Sequence, residues 1–130
     1  MTLNNFPTGF AKALAALPED LLSAVNIALD RFPQGEELPA DEAVIAELPR
    51  VWATSEFVSR VCLRSPEMFR ELVDTGDLQC SYSCGGHRRR LQARLEGLDD
   101  ESSLFRELRR FRSREMLRIA WRDLSGRAGL

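Results

Sequence analysis

The sequence predicts an all-α protein, a compact bundle of five or six helices that ends in a long arginine-rich helix. Three observations support this fold class. Apolar residues recur at three- and four-residue intervals, helix-start signals stand ahead of those runs, and alternating strand patterns are few. At 130 residues the chain fits one domain, which can bury a core without disulfides or metal.

The first predicted helix follows Pro18, where Glu19 and Asp20 favour a helix N-terminus. Apolar residues then recur at helical spacing as far as Phe32. Pro33 ends this run, and a polar turn containing further proline and glycine comes next.

Two helices are predicted in the middle of the chain. Asp41 can cap a short one over 42–48. Pro49 is expected to open the next helix at its first position. The apolar face of that second helix is formed by Val51, Trp52, Val58, Val61 and Cys62.

A strong helix-start signal is found at Ser65-Pro66-Glu67. Ser65 is expected to cap, Pro66 suits the first helical position, and the Glu67 charge is favourable near the positive end of the helix dipole. Gly76 is placed to end this helix in a left-handed conformation. A loop over 77–87, rich in serine, cysteine and glycine, is predicted to follow.

The last two predicted helices carry most of the arginines. One begins at His87 or Arg88 and ends near Gly97, with three leucines on one side. Asp99 or Asp100 is expected to cap the longest helix, about residues 101–125, which Gly126 ends.

The longest helix has two apolar lines. Leu117, Ala120, Trp121 and Leu124 form a patch near its end. A second and longer line is expected to face the core and has an arginine at its centre; it consists of Phe105, Leu108, Arg112, Met116 and Ile119. An unpaired buried charge is costly, so Arg112 requires water or a partner, for which Glu115 is a local candidate.

Charge is distributed unevenly along the chain. Residues 1–87 carry six basic and thirteen acidic side chains, a net charge of −7, whereas residues 88–130 carry twelve arginines and seven acidic side chains, a net charge of +5. These arginines could form a solvated surface, dock against another domain, or contact nucleic-acid phosphates. A small nucleic-acid-binding or stand-alone protein-interaction domain is therefore the alternative function. The sequence pI near 5.5 and the interleaved acidic residues weigh against nucleic acid.

Two motifs in the last helix are distinctive: Arg-Arg-Phe-Arg-x-Arg-Glu at 109–115 and Arg-Ile-Ala-Trp-Arg-Asp-Leu at 118–124. Together with the surrounding run 104–126, they resemble the segment that leads into the first nucleotidyltransferase domain of the bifunctional glutamine synthetase adenylyltransferase/adenylyl-removing family. The stretches at 51–58 and 62–67 are similar to that family as well.

The resemblance implies that residues 1–130 form a single helical N-terminal segment preceding the first, adenylyl-removing nucleotidyltransferase domain, without the catalytic core. Family members remove AMP from glutamine synthetase by phosphorolysis in one half and attach it from ATP in the other. The implied partners are glutamine synthetase, a PII signal protein and the rest of the parent enzyme. Mg²⁺ and ATP are implied for the full-length family, and no cofactor is expected in this segment. Neither a nucleic acid nor a membrane is an expected partner.

No catalytic residue is assigned to this chain. Nucleotidyl transfer needs clustered carboxylates that hold metal, and the sequence contains no Asp-x-Asp pair; Asp99 and Asp100 are adjacent, so they cannot face the same way. The candidates are instead residues for domain docking or phosphate contact: Arg109, Arg110, Arg112, Arg114, Glu115 and Trp121.

Cys80, Cys84 and His87 are weak candidate metal ligands, because structural zinc usually has four ligands and only three lie together here. A loop with incidental thiols is the favoured interpretation. The odd number of cysteines, the lack of a long apolar run and the lack of a secretory signal lead us to expect a cytoplasmic location.

Overall fold

The computed structural model describes residues 10–32, 41–81 and 86–126. These ranges contain seven α-helices and no strand, which confirms the all-α prediction. The helices are α1 (Phe10–Ala15), α2 (Glu19–Asp30), α3 (Glu42–Thr54), α4 (Glu56–Arg64), α5 (Pro66–Thr75), α6 (Gly86–Leu95) and α7 (Glu101–Ser125). A 3-10 turn, Asp77–Gln79, follows α5.

Helix α1 was not predicted from the sequence. It is only six residues long, too short to show a clear helical period. Its residues Phe10 and Leu14 are nevertheless buried in the core, where α1 packs against α3. The sequence contains signals for the other six helices, and α1 is the additional one. Packing against α3 therefore stabilises α1.

The predicted boundary at Pro49 is wrong. Helix α3 runs through Pro49, which is buried together with Leu48 and Val51. A proline inside a helix removes one backbone hydrogen bond, and burial of the surrounding apolar side chains offsets this cost. The break comes at Ser55, whose hydroxyl accepts a hydrogen bond from the Val58 backbone N–H at 3.1 Å and so caps α4.

Helix α5 begins at Pro66 and ends at Gly76 (φ 78°), as the sequence predicts. Ser65 is the residue at its N-cap, but its side chain makes no capping hydrogen bond. The predicted N-cap position of Ser65 is thus confirmed, but the predicted capping by its side chain is wrong.

A row of aromatic rings crosses the core. Ring centroids are 6.5 Å apart from Phe32 to Trp52, 6.3 Å from Trp52 to Phe69, and 5.3 Å from Phe69 to Trp121. Such tilted ring pairs add about 0.5–1.5 kcal/mol each beyond the apolar area that they bury. The row joins the turn after α2 to α3, α5 and α7, so the last helix completes the core that the earlier helices begin.

Helix α7 spans the predicted residues. The Asp100 carboxylate accepts the Ser103 backbone N–H at 3.2 Å, and Gly126 (φ 84°) follows the last turn. These hydrogen bonds from Ser103, with the charge of Arg106, hold the pKa of Asp100 below its ordinary value. Within the described ranges, no helix is both long and apolar enough to cross a membrane.

Candidate functional site

The patch near the end of α7, and not the longer line, is the one that packs in the core. Leu117 and Trp121 are fully buried, and Ala120 and Leu124 pack against the same core while remaining partly exposed. The indole N–H of Trp121 donates a hydrogen bond to the Glu47 carboxylate at 3.2 Å. Trp121 therefore belongs to the interior of this segment and is not available as a docking residue.

The longer line on α7 does not face the core, so that prediction is wrong. Its apolar residues are exposed at 50% (Phe105), 39% (Leu108), 44% (Met116) and 53% (Ile119) of their surface. The line lies on the far side of the helix: Met116 and Trp121 are about 140° apart around the axis. We call this exposed line, with Arg112 at its centre, the outer side of α7.

Arg112 itself is exposed on this outer side and has no need of a buried partner. The Glu115 carboxylate, its predicted partner, is buried and lies instead against Arg114 at 3.0 Å and His87 at 3.0 Å. The opposite face of α7, its inner side, consists of Phe111, Arg114, Glu115, Leu117, Arg118, Trp121 and Arg122, all buried.

Arg114 is the centre of a buried ion-pair network. Its guanidinium donates to Glu71 at 3.1 Å, to Asp77 at 2.5 Å and to Glu115 at 3.0 Å, so three carboxylates surround one cation. Arg90 of α6 lies 3.7 Å from the second carboxylate oxygen of Asp77. The network joins α7 to α5, to the 3-10 turn and to α6.

Arg118, one turn further along α7, lies 3.6 Å from the Glu115 carboxylate and also binds backbone. Its guanidinium donates to the carbonyl oxygens of Asp77 at 3.1 Å and Cys80 at 2.5 Å. Buried carbonyls need a donor, and Arg118 supplies one at both ends of the 3-10 turn. This arginine therefore holds the backbone after α5 against the last helix.

The ionisation of Asp77 follows from this arrangement. Burial alone would raise its pKa, but the hydrogen bond and the positive charge of Arg114 outweigh that effect. Smaller contributions come from the Thr75 hydrogen bond and the Arg90 charge, and the pKa of Asp77 is held below its ordinary value. Asp77 is therefore a stable anion in the folded protein.

An open cleft of about 520 Å³ lies between α7 and the junction of α4 and α5. Its lining includes six arginines and only two carboxylates: Arg64, Arg94, Arg106, Arg109, Arg110, Arg114, Glu67 and Glu71. We call it the arginine cleft.

Only two arginines of the cleft form ion pairs with carboxylates among the described residues. Arg94 pairs with Glu71 at 2.7 Å and with Glu107 at 3.3 Å, and Arg114 pairs with the same Glu71. No ion pair among the described residues uses any of the other four arginines. The cleft is therefore strongly positive.

The structure separates the predicted docking and phosphate-contact residues into three groups. Arg109 and Arg110 are exposed and line the arginine cleft, and Arg112 is exposed on the outer side of α7. Arg114, Glu115 and Trp121 are buried and contact other parts of this chain. Arg114 reaches the cleft wall as well, although its guanidinium is occupied by carboxylates.

Several residues that define the site were not predicted from the sequence. Glu71 and Asp77 are the carboxylates that hold Arg114, and Arg64 faces the arginines of α7 across the cleft. Glu71 and Asp77 lie about 40 positions away from Arg114 in the chain, beyond the reach of a local pattern. The one local signal is the recurrence of Phe111, Arg114, Arg118 and Trp121 at helical spacing.

The structure does not form a metal site from the candidate ligands that lie within the described residues. Cys80 is exposed, His87 lies against Glu115, and Cys84 falls outside the described residues. No group of three or more histidine, cysteine or acidic residues in the described ranges could hold a metal ion. The residues described here therefore do not fit the Mg²⁺ that the family resemblance implies, and no step through that ion is assigned to this chain.

Comparison with known proteins connects this chain to one family. The family model of glutamate-ammonia ligase adenylyltransferase matches residues 45–130. The bifunctional glutamine synthetase adenylyltransferase/adenylyl-removing enzyme of Thioalkalivibrio sulfidiphilus is 39% identical over 132 residues, covering 99% of this chain and 12% of that protein. Its counterpart in Pseudomonas aeruginosa is 40% identical over 129 residues, covering 99% of this chain and 13% of that protein.

A third relative with the same name, from Nitrosococcus oceani, is 42% identical over 80 residues, covering 62% of this chain and 8% of that protein. No solved structure matches the chain. The first two matches extend over nearly the whole sequence, but the chain spans only about an eighth of the length of these curated relatives.

Proposed function

The chain belongs to the glutamate-ammonia ligase adenylyltransferase family, and we propose that it is a non-catalytic helical segment of an enzyme that adenylylates and deadenylylates glutamine synthetase. Within that enzyme the segment precedes the adenylyl-removing nucleotidyltransferase domain and acts as a structural and interaction module. The buried network around Arg114 supports this role, because it commits the carboxylates near α7 to holding the fold together.

The outer side of α7 is the observation that carries the interaction role. Four large apolar residues are exposed along one line of a helix whose other side is already packed in the core. Contiguous exposed apolar surface marks an interaction site more often than a solvated face. The relatives are about eight times longer than this chain, so the proposed occupant of this surface is the remaining polypeptide of the same enzyme.

The full activity of the enzyme is part of the same proposal. Glutamine synthetase is the substrate, a PII signal protein is a regulatory partner, and the protein acts in the cytoplasm. ATP and Mg²⁺ serve the nucleotidyltransferase domains, outside the residues described here. The names of the relatives support glutamine synthetase as the target.

The test uses the full-length enzyme with single substitutions on the outer side of α7. Ile119→Ser and Arg112→Ala should each lower the rate of glutamine synthetase deadenylylation, about tenfold if docking positions the catalytic domain. Arg88→Ala, an exposed arginine on α6, is the matched control and should leave the rate unchanged. Thermal unfolding of each variant separates a loss of docking from a loss of folding.

Two results would contradict the proposal. Unchanged deadenylylation in both outer-side variants would show that the surface does not dock against the catalytic domain. Absence of both reactions in the unsubstituted full-length protein would overturn the assignment of activity itself.

A further inference from the structure

The arginine cleft has a composition that the proposed function does not use. It lies beside α7, but it is distinct from the apolar outer side that the docking role requires. We propose that this cleft binds a small anion that carries at least two phosphate groups. The inference concerns this chain alone and does not depend on where the rest of the enzyme docks.

The first step of the argument is the placement of the charges. Arg106, Arg109 and Arg110 are spaced three and four residues apart on α7, so their side chains share one side of the helix. Arg64, the last residue of α4, faces them across the cleft. Positive charges thus approach the same space from two different elements.

The second step is that no ion pair in the described part of the chain involves any of these four arginines. The charge of Arg106 contributes to the lowered pKa of Asp100, but that carboxylate caps α7 and forms no ion pair with Arg106. Arginine cannot relieve repulsion by losing its proton near neutral pH. A bound polyanion would reduce the repulsion within such a cluster.

The third step is the chemistry of the lining. Each guanidinium presents a planar set of N–H donors that matches two oxygens of a phosphate group. Ser65, between α4 and α5, and Ser113, on α7, add two hydroxyls to the lining, and neither hydroxyl has a hydrogen-bond partner among the described residues. The hydroxyl of Ser65, which does not cap α5, is thus available to a ligand.

Size and residual charge favour a compact ligand. A volume of about 520 Å³ falls in the range of small-molecule sites, roughly 300–1,000 Å³. Of the two glutamates in the lining, Glu71 is already paired with Arg94 and Arg114. Glu67 is exposed in the lining, and its negative charge repels a bound anion. Four arginines remain without an ion pair, so a ligand with more than one phosphate group is needed to neutralise them.

The experiment is isothermal titration calorimetry of the 130-residue chain at about 0.15 M salt, where long-range attraction between exposed charges is screened. The probes are pyrophosphate, ATP, inorganic phosphate and a ten-residue glutamate peptide. We expect saturable binding of one pyrophosphate or ATP per chain, with inorganic phosphate binding more weakly. Equal affinity for pyrophosphate and ATP indicates an inorganic polyphosphate, and tighter binding of ATP indicates a nucleoside phosphate; both support the proposal.

Single substitutions place the binding in the cleft. Arg64→Gln and Arg110→Gln should each weaken pyrophosphate binding about tenfold, the loss expected for one charge-assisted contact. Arg112→Gln is the matched control. Arg112 lies on the outer side of α7, away from Arg110, and its substitution should change the affinity less than about twofold. Glu67→Gln should tighten binding, because it removes the opposing charge at the rim. All four side chains are exposed, so folding is preserved and can be verified by thermal unfolding.

Three results would overturn the proposal. The first is no saturable binding of any phosphate probe. The second is equal weakening by Arg112→Gln and Arg110→Gln, which would indicate general charge attraction. The third is binding of the glutamate peptide without binding of pyrophosphate, which would assign the cleft to an acidic polypeptide.

Discussion

The inner and outer sides of α7 are built from the same residue types, arginine and large apolar side chains, but the fold treats them in opposite ways. On the inner side Arg114 and Arg118 are buried, and their guanidinium groups contact oxygens of Asp77, Cys80 and Glu115. On the outer side Arg112 is exposed among apolar residues that nothing in the described ranges covers. Composition alone therefore does not determine whether such a helix face is core or interface.

The largest difference between the two sides should appear on removal of a large apolar side chain. Trp121→Ala should lower the free energy of unfolding by about 4 kcal/mol, because it leaves a cavity beside Phe69 and frees Glu47 from its hydrogen bond. Ile119→Ala, on the outer side, should change it by about 0.5 kcal/mol or less. Urea unfolding followed by circular dichroism measures the unfolding free energy of both variants. Equal decreases would contradict the assignment of one side of α7 to the core and the other to the surface.

A second comparison uses the arginines themselves. Arg114→Met should destabilise the protein by about 3 kcal/mol, since three carboxylates then face each other without their common cation. Arg112→Met should fall within about 0.5 kcal/mol of the unsubstituted protein. Adding Asp77→Asn to Arg114→Met should recover part of the loss. If it does not, charge repulsion is not the cause of the destabilisation.

A third prediction concerns pH. Because the pKa of Asp77 is lower in the folded than in the unfolded chain, its contribution to stability is complete above the ordinary value of 3.8. That contribution is lost as the pH falls from 3.8 through the lower, folded value. Unfolding free energies between pH 7 and pH 3 should therefore fall less steeply at the acid end for Asp77→Asn than for the unsubstituted chain. Parallel curves would show that Asp77 does not titrate as described.

A small effect on stability is also expected when polar residues replace two apolar residues on the outer side. Met116→Ser with Ile119→Ser should leave the unfolding free energy within about 1 kcal/mol of its original value. The pair should nevertheless reduce any concentration-dependent self-association, because exposed apolar patches promote association. Sedimentation equilibrium measures the mass of both proteins. A loss of several kcal/mol would show that these residues are part of the core.

Helix positions in this protein were largely predictable, and the orientation of the last helix was not. Asp100 and Gly126 define the ends of α7 by local chemistry, so its residues could be predicted from the sequence. Periodicity showed two apolar lines on that helix, but the line with more members was assigned to the core. The choice between them depends on which line meets Phe69 and Glu47, residues far away in the chain.

The candidate site was predictable only on α7. The arginines at 109 and 110 could be selected because they cluster in sequence, whereas Arg64 belongs to a different helix and reaches the cleft through tertiary packing. The fate of Arg114 also depends on Glu71 and Asp77, which no local pattern connects to it. Pro49 shows the same limit, because its expected role as a helix start was overridden by burial.

The long-range contacts of Trp121 and Arg118 have a consequence for the order in which the chain folds. Its hydrogen bond to Glu47 joins residues 74 positions apart, and Arg118 closes a loop of 41 residues to Asp77. A nascent chain leaves the ribosome at roughly 5–20 residues per second, so the earlier helices emerge several seconds before their last packing partner. During that interval the ring of Phe69 lacks one of its neighbours, and the growing chain exposes apolar surface that Trp121 later covers.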